Sequence, residues 1–144
     1  MGNSRDELFD NTFTYERWDC GNRTNFTLTQ NGEVLQSVTY TYDGLNRLIH
    51  EAETGALTQD YTYDARGNRA SMTVSGKERY TVSYAYDANN RLLTERKTRG
   101  LLTDLTTYAY DANGNLLSKT FTGGDGSLTG ATYTYNLFDQ LSTA

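Results

Sequence analysis

Four aspartates, Asp43, Asp64, Asp87 and Asp111, each stand directly after a tyrosine, and Asn136 takes the same place a fifth time. Carboxylates that recur in one context can hold a cation, exchange protons in pairs, or accept hydrogen bonds from the backbone. The stretch DANGN from Asp111 alternates Asp111, Asn113 and Asn115, like the first half of a calcium loop. Such a loop needs glycine at its sixth position and glutamate at its twelfth, where this chain has Leu116 and Thr122. GGDGSL from Gly123 is similar to a calcium-binding β-helix repeat, but it occurs once and lacks the closing aspartate. Turn capping accounts for every copy, so neither a metal nor another cofactor is expected.

Acid–base catalysis is not expected either. Glu51 and Glu53 share one face of a strand, but catalysis by paired carboxylates needs environments that differ, and repetition makes environments alike. Cys20 and His50 are each the only residue of their kind, which excludes an intrachain disulfide and a Cys/His zinc cluster. Cys20 reads as a small packed side chain. No nucleophile, base and orienting group converge, and the chain is not read as an enzyme.

Tyrosine is the other chemistry-bearing residue. Eight of the twelve form the pairs Tyr40/Tyr42, Tyr61/Tyr63, Tyr84/Tyr86 and Tyr108/Tyr110, and Tyr133/Tyr135 make a fifth. Rings exposed in rows on a sheet can stack against sugars. Leu, Ile, Val and Phe together number only 26 of 144 residues, however, so the rings are needed as core.

These residues are positioned by a repeat. YTYDGLNRL, YTYDARGNR, YAYDANNRL, YAYDANGNL and YTYNLFDQL follow one another, the second tyrosines at 42, 63, 86, 110 and 135 being spaced by 21, 23, 24 and 25. Alternation on a strand puts both rings of a pair on one face; the same alternation predicts that Val34, Val38, Tyr40 and Tyr42 share a face. Three residues after each Asp or Asn stand Asn46, Gly67, Asn90, Gly114 and Asp139, types that tolerate positive φ. The pattern predicts a type I turn followed by a left-handed residue, as in a short hairpin loop. A second strand follows (RLIHEAET, NRASMTVS, RLLTERKT, NLLSKTFT) and ends near Gly55, Gly76, Gly100 or Gly123. Each unit is strand, Asp-turn, strand, Gly-turn. The chain has no proline to interrupt a ladder. The fold class is therefore all-β, a meander of tandem antiparallel hairpins. Residues 1–33 read as a degenerate first repeat with an altered turn, and 34–144 as about five repeats in one array, the last incomplete.

The net charge of −5 and the lack of a basic stripe argue against nucleic-acid binding. The most basic run, RLLTERKTR from Arg91, contains a glutamate and reads as a solvated strand face. No apolar run approaches the length of a membrane-spanning helix, and MGNSRDELFD has no signal-peptide apolar core. Asn22 and Asn25 fit the N-glycosylation pattern, which matters only in a secretory host.

The five YxYDxxG-like copies resemble the YD repeat of Rhs and wall-associated proteins, of the C components of insecticidal toxin complexes and of teneurins. YTYDGLNRL departs by placing Asn46 where the motif has glycine; YTYNLFDQL lacks both aspartate and glycine. The resemblance implies a twisted, curved sheet strip, part of a spiral shell that encloses a toxin or other payload. It also implies a secreted or cell-surface setting and, as partners, neighbouring repeats of a longer chain. The family's proline-containing core and autoproteolytic aspartates have no counterpart here, so self-cleavage is not carried over. An isolated strip is expected to self-associate through its sheet edges. The competing reading is a module that binds glycan or a cell-surface partner through exposed tyrosines.

Overall fold

The computed structural model describes residues 11–17 and 21–143. Its elements are thirteen strands: β1 (Asn11–Arg17), β2 (Arg23–Gln30), β3 (Glu33–Tyr42), β4 (Leu48–Glu53), β5 (Leu57–Tyr63), β6 (Arg69–Gly76), β7 (Tyr80–Tyr86), β8 (Leu92–Arg99), β9 (Leu102–Tyr110), β10 (Leu116–Thr122), β11 (Leu128–Thr132), β12 (Thr134–Tyr135) and β13 (Leu141–Thr143). The first eleven lie in chain order in one antiparallel sheet with β1 and β11 at its edges, and β12 and β13 form a two-stranded sheet. The meander expected from the repeats is the fold. It arises because Tyr and Thr favour the pleated conformation and because every second element follows a tight turn.

The chain divides into two compact units, Met1–Gln59 and Asp60–Ala144. In the first, β2 and β3 are joined by Asn31 and Gly32, both left-handed at φ 51° and 82°. A two-residue loop of this kind matches the twist of its strands, and Asn-Gly is its strongest sequence signal. Gln36 lies opposite Leu28 and Val34 opposite Thr29, so Leu35 is an extra residue on β3. That bulge overturns the expected alternation. Val34 is carried to the face opposite Val38 and is 62% exposed, while Val38 is buried. Beside Val38, Phe26 packs against Tyr15, ring centroids 5.3 Å apart.

In the second unit the buried apolar residues are Tyr61, Val74 and Val82. Val82 lies opposite Met72 on one side and Lys97 on the other; Tyr84 lies opposite Glu95. By period two, Tyr80, Val82, Tyr84 and Tyr86 share a face, and the alternate residues Thr81, Ser83 and Ala85 are exposed on the other. The same asymmetry holds on β3, where Val38 is buried while Thr39 and Thr41 are exposed. Among the described residues the core is thus one face of a sheet, tyrosine-rich and thin.

A bulge recurs six residues after the turn-opening residue. Ile49, Leu93, Leu117 and Ser142 are each skipped in the pairing of the strand that leaves the turn. Bulges increase local twist and re-aim side chains. At three of them the place is marked by two successive apolar residues, Leu48–Ile49, Leu92–Leu93 and Leu116–Leu117, a break in alternation that the repeat pattern alone does not explain; the fourth reads Leu141–Ser142.

Candidate functional site: the turn edge and the tyrosine face

The Asp turns share one geometry. Asp87 N–H donates to Arg91 O at 3.0 Å, and Asn90 N–H returns a bond to Asp87 O at 3.1 Å. Asp43, Asp64, Asp111 and Asn136 repeat both bonds. The third residue after each is left-handed: Asn46, Gly67, Asn90, Gly114 and Asp139 have φ between 57° and 97°. The opening side chain then takes up the loop's free donors. Asp87 Oδ1 accepts from Asn89 N (2.8 Å) and Arg91 N (2.9 Å), and Oδ2 from Arg91 Nε (2.6 Å). Asn136 does the same through Oδ1, to Phe138 N and Gln140 N at 2.9 and 3.0 Å. Charge is therefore not what the turn requires; a side-chain oxygen that takes up the loop's donors is.

Gly123 forms the same backbone loop on the other edge, its N–H donating to Ser127 O at 2.8 Å. A Cβ at Gly123 would collide with Ser127 Oγ and approach Asp125 Oδ1 to 2.6 Å. The capping carboxylate has moved two residues on, to Asp125, whose Oδ1 accepts from Ser127 N at 2.9 Å. In sequence Gly123 looks like a Gly-turn of the ordinary kind; the structure makes it a sixth copy of the capped loop.

Hydrogen bonding holds these carboxyls below their ordinary value of 3.8. For Asp43 and Asp87 the chief causes are the backbone N–H groups of Arg47 and Arg91, helped by the guanidinium groups. At Asp111 the Asn115 side-chain amide leads. Removal from water acts upward at Asp64, where it is the largest single influence, but bonds from Asn68, Arg66 and Gly67 outweigh it. Asp125 is lowered by Ser127, and Asp104 by Gly124 N–H and Arg99.

Adjacent turns are also tied to each other. Asn22 Nδ2 donates to Asn46 Oδ1 (3.2 Å), Asn68 Nδ2 to Asn90 Oδ1 (2.9 Å) and Asn115 Nδ2 to Asp139 Oδ1 (2.9 Å). Arg91 instead reaches the backbone, Nη1 donating to Asp111 O at 2.9 Å. A further tie comes from the second tyrosine of a pair, whose hydroxyl donates to a carbonyl of the preceding repeat. Tyr42 reaches Arg23 O (2.8 Å), Tyr110 reaches Leu92 O (3.0 Å) and Tyr135 reaches Leu116 O (3.1 Å).

The tyrosine face is neither a closed core nor an open platform. Tyr61 is buried; Tyr40, Tyr42, Tyr63, Tyr84, Tyr86, Tyr108 and Tyr110 are half-buried. Cations cover several rings: Arg69 lies 4.4 Å from the centroid of Tyr61, Lys97 3.9 Å from Tyr80 and Arg91 5.0 Å from Tyr110. The strands leaving the turns supply charged neighbours, Glu51 and Glu53 opposite Tyr40 and Val38, and Lys119 opposite Tyr108. Loss of water raises the phenols of Tyr84, Tyr86 and Tyr108 above 10.0, with Glu95 adding to the rise at Tyr84 and Tyr108. Among the described residues no three His, Cys, Asp or Glu side chains are grouped to hold a metal ion. The reading of Cys20 as a packed side chain lies outside the described residues.

The family model for the teneurin YD-shell matches residues 4–143. Among solved structures, a Photorhabdus luminescens Tc holotoxin pore carrying a TccC3 variant aligns with TM-score 0.72 and 17% identity over 92% of this chain. This chain spans only 8% of that one, and at such identity the likeness speaks for the fold alone. A TcdB2–TccC3 crystal structure aligns with TM-score 0.43 and 16% identity, over 88% of this chain and 9% of the other. No curated protein matches the chain. The match runs through nearly every repeat, and the chain belongs to the teneurin YD-shell family.

Proposed function

We propose that this chain is a non-catalytic wall segment of a YD shell that encloses a payload, in a secreted or cell-surface setting. The observation that carries this reading is the single sheet of hairpins that rests on its own half-buried tyrosine face, with side-chain ties between neighbouring repeats. Turn aspartates are spent on closing their own hairpins, while Asn and Arg side chains and tyrosine hydroxyls tie one repeat to the next, which is the work of a wall. The carboxylates are alike in role, which argues against a general acid–base pair. The Tc likeness supports a toxin-type shell; the other segments of a longer shell chain are the partners this reading requires.

Alanine at both Tyr84 and Tyr86 tests it. Loss of two half-buried rings is expected to cost about 2 kcal/mol together, lowering Tm by roughly 4–8 °C in a chain of this size. Circular dichroism melts of parent and variant measure it. An unchanged melt, with loss of binding on a glycan array, would instead assign the face to a ligand.

A further inference from the structure

The turns alternate in kind along the chain. At the third and fourth positions after the opening residue they read Asn46–Arg47, Gly67–Asn68, Asn90–Arg91, Gly114–Asn115 and finally Asp139–Gln140, and a Gly21–Asn22 pair stands just before β2. We propose that this alternation is a recognition code between neighbouring repeats. The fourth residue of one turn is matched to the third residue of the next, amide to amide or carboxylate and guanidinium to glycine, and the match specifies which repeat seats beside which.

The turn's own closure does not need the alternation. Asn68 and Asn115 bond the carboxylates of Asp64 and Asp111 through Nδ2 at 3.1 and 2.9 Å, and Arg91 bonds that of Asp87 through Nε at 2.6 Å. Either residue type serves inside its turn; they differ in what they reach outside it. The short Asn amide needs a side-chain acceptor close by, and the next turn supplies Asn46, Asn90 or Asp139. Asn and Asp are the residues that combine such an oxygen with tolerance of the left-handed conformation. The longer Arg91 passes over its neighbour to a backbone carbonyl, and its neighbour is Gly114, where a Cβ would stand 3.9 Å from Nη1. That Cβ alone would make ordinary contact, so it is the further atoms of a larger side chain that the code expects to crowd the guanidinium. By this code an Asn facing glycine lacks its side-chain acceptor and an Arg at the fourth position is crowded by a facing Asn, whereas Arg66, at the second position of its turn, reaches Asp87 O and Ala88 O of the Asn90 turn at 3.3 Å. Shifting the array by one repeat therefore mismatches the edge, whereas a shift by two restores it. The proposal stands whether or not the shell encloses a payload.

A double-mutant cycle on Arg91→Asn and Gly114→Asn tests it, since both introduce residues found at these positions in other turns. The readout is hydrogen-exchange protection of the Asp111 and Gly114 amides, which close the fourth turn. Each single substitution is expected to lower protection of the Asp111 amide about tenfold, and the pair to return within about threefold of the parent. Recovery is expected because the two introduced asparagines then face each other as Asn68 faces Asn90. The Asn90 amide, inside the third turn, should keep its protection in Arg91→Asn. Additive losses in the double variant, or singles that change nothing, would overturn the code.

Discussion

Alanine at Tyr61 should lower the unfolding free energy by about 3 kcal/mol and Tm by roughly 6–12 °C, while phenylalanine should cost far less. Tyr61 is the most buried ring of the tyrosine rows at 8% exposure, and Arg69 lies against it at 4.4 Å. Removing the ring opens a cavity among few buried neighbours and leaves Arg69 without its π partner. Small domains hold only about 5–15 kcal/mol in total, and this chain buries just Val38, Tyr61, Val74 and Val82 among its large apolar described residues. In a repeat architecture each unit is supported by its neighbours, so exchange protection should fall first in β5 and β6. Thermal melts and site-resolved exchange measure both effects. A Tyr61→Ala melt within one degree or so of the parent would show that the rings are not core.

Acid should destabilise the fold, and the turns should be the reason. The carboxyls of Asp43, Asp64, Asp87, Asp111, Asp104 and Asp125 all lie below their ordinary 3.8. The native state thus favours the ionised form, and the unfolded chain takes up protons first as pH falls. The stability these groups contribute is complete above the unfolded value and is lost as pH drops through the lower folded values. Tm should therefore be flat above about pH 5 and fall steeply below about pH 4. Asparagine at the four turn positions keeps the Oδ1 acceptor, as Asn136 shows. The fourfold Asp→Asn variant should be less stable at neutral pH, having lost its charged partners, but much flatter in acid. Both proteins carry the same lysines and arginines, so once the carboxyls are protonated their general charge repulsion is the same. Parallel acid slopes for the two would remove the turn carboxylates from the explanation.

What the sequence reveals here is mostly local. Strand, turn and left-handed positions follow from Tyr-x-Tyr, from the Asp or Asn after it, and from Asn, Gly or Asp three residues on; the φ values fall there. Side-chain facing is legible only where alternation runs unbroken. The extra residue at Leu35 turns Val34 away from Val38, and no composition rule announces it. The Asn31–Gly32 hairpin does carry a readable signal. The bulges at Ile49, Leu93 and Leu117 are marked by apolar doublets, which look like ordinary strand sequence until the register is known. Contacts between turns about twenty residues apart, such as Asn68 with Asn90, depend on which hairpins lie side by side. Equally hidden are the charged companions of the tyrosines, Glu95 and Lys97, whose run of charges looks in sequence like a solvated face.

As a stretch of wall, the chain is proposed to present sheet edges that another strand continues. Edge strand β1 is exposed throughout, with Phe13 at 56% and Tyr15 at 49%, and β11 is exposed along its whole length. An unpaired edge of that kind templates further pairing. Molar mass by light scattering, followed from low-micromolar to sub-millimolar concentration, tests the claim most directly. A mass that rises with concentration, reversibly and with the β-signature retained, is the result predicted. A mass fixed at that of one chain across the whole range would contradict it.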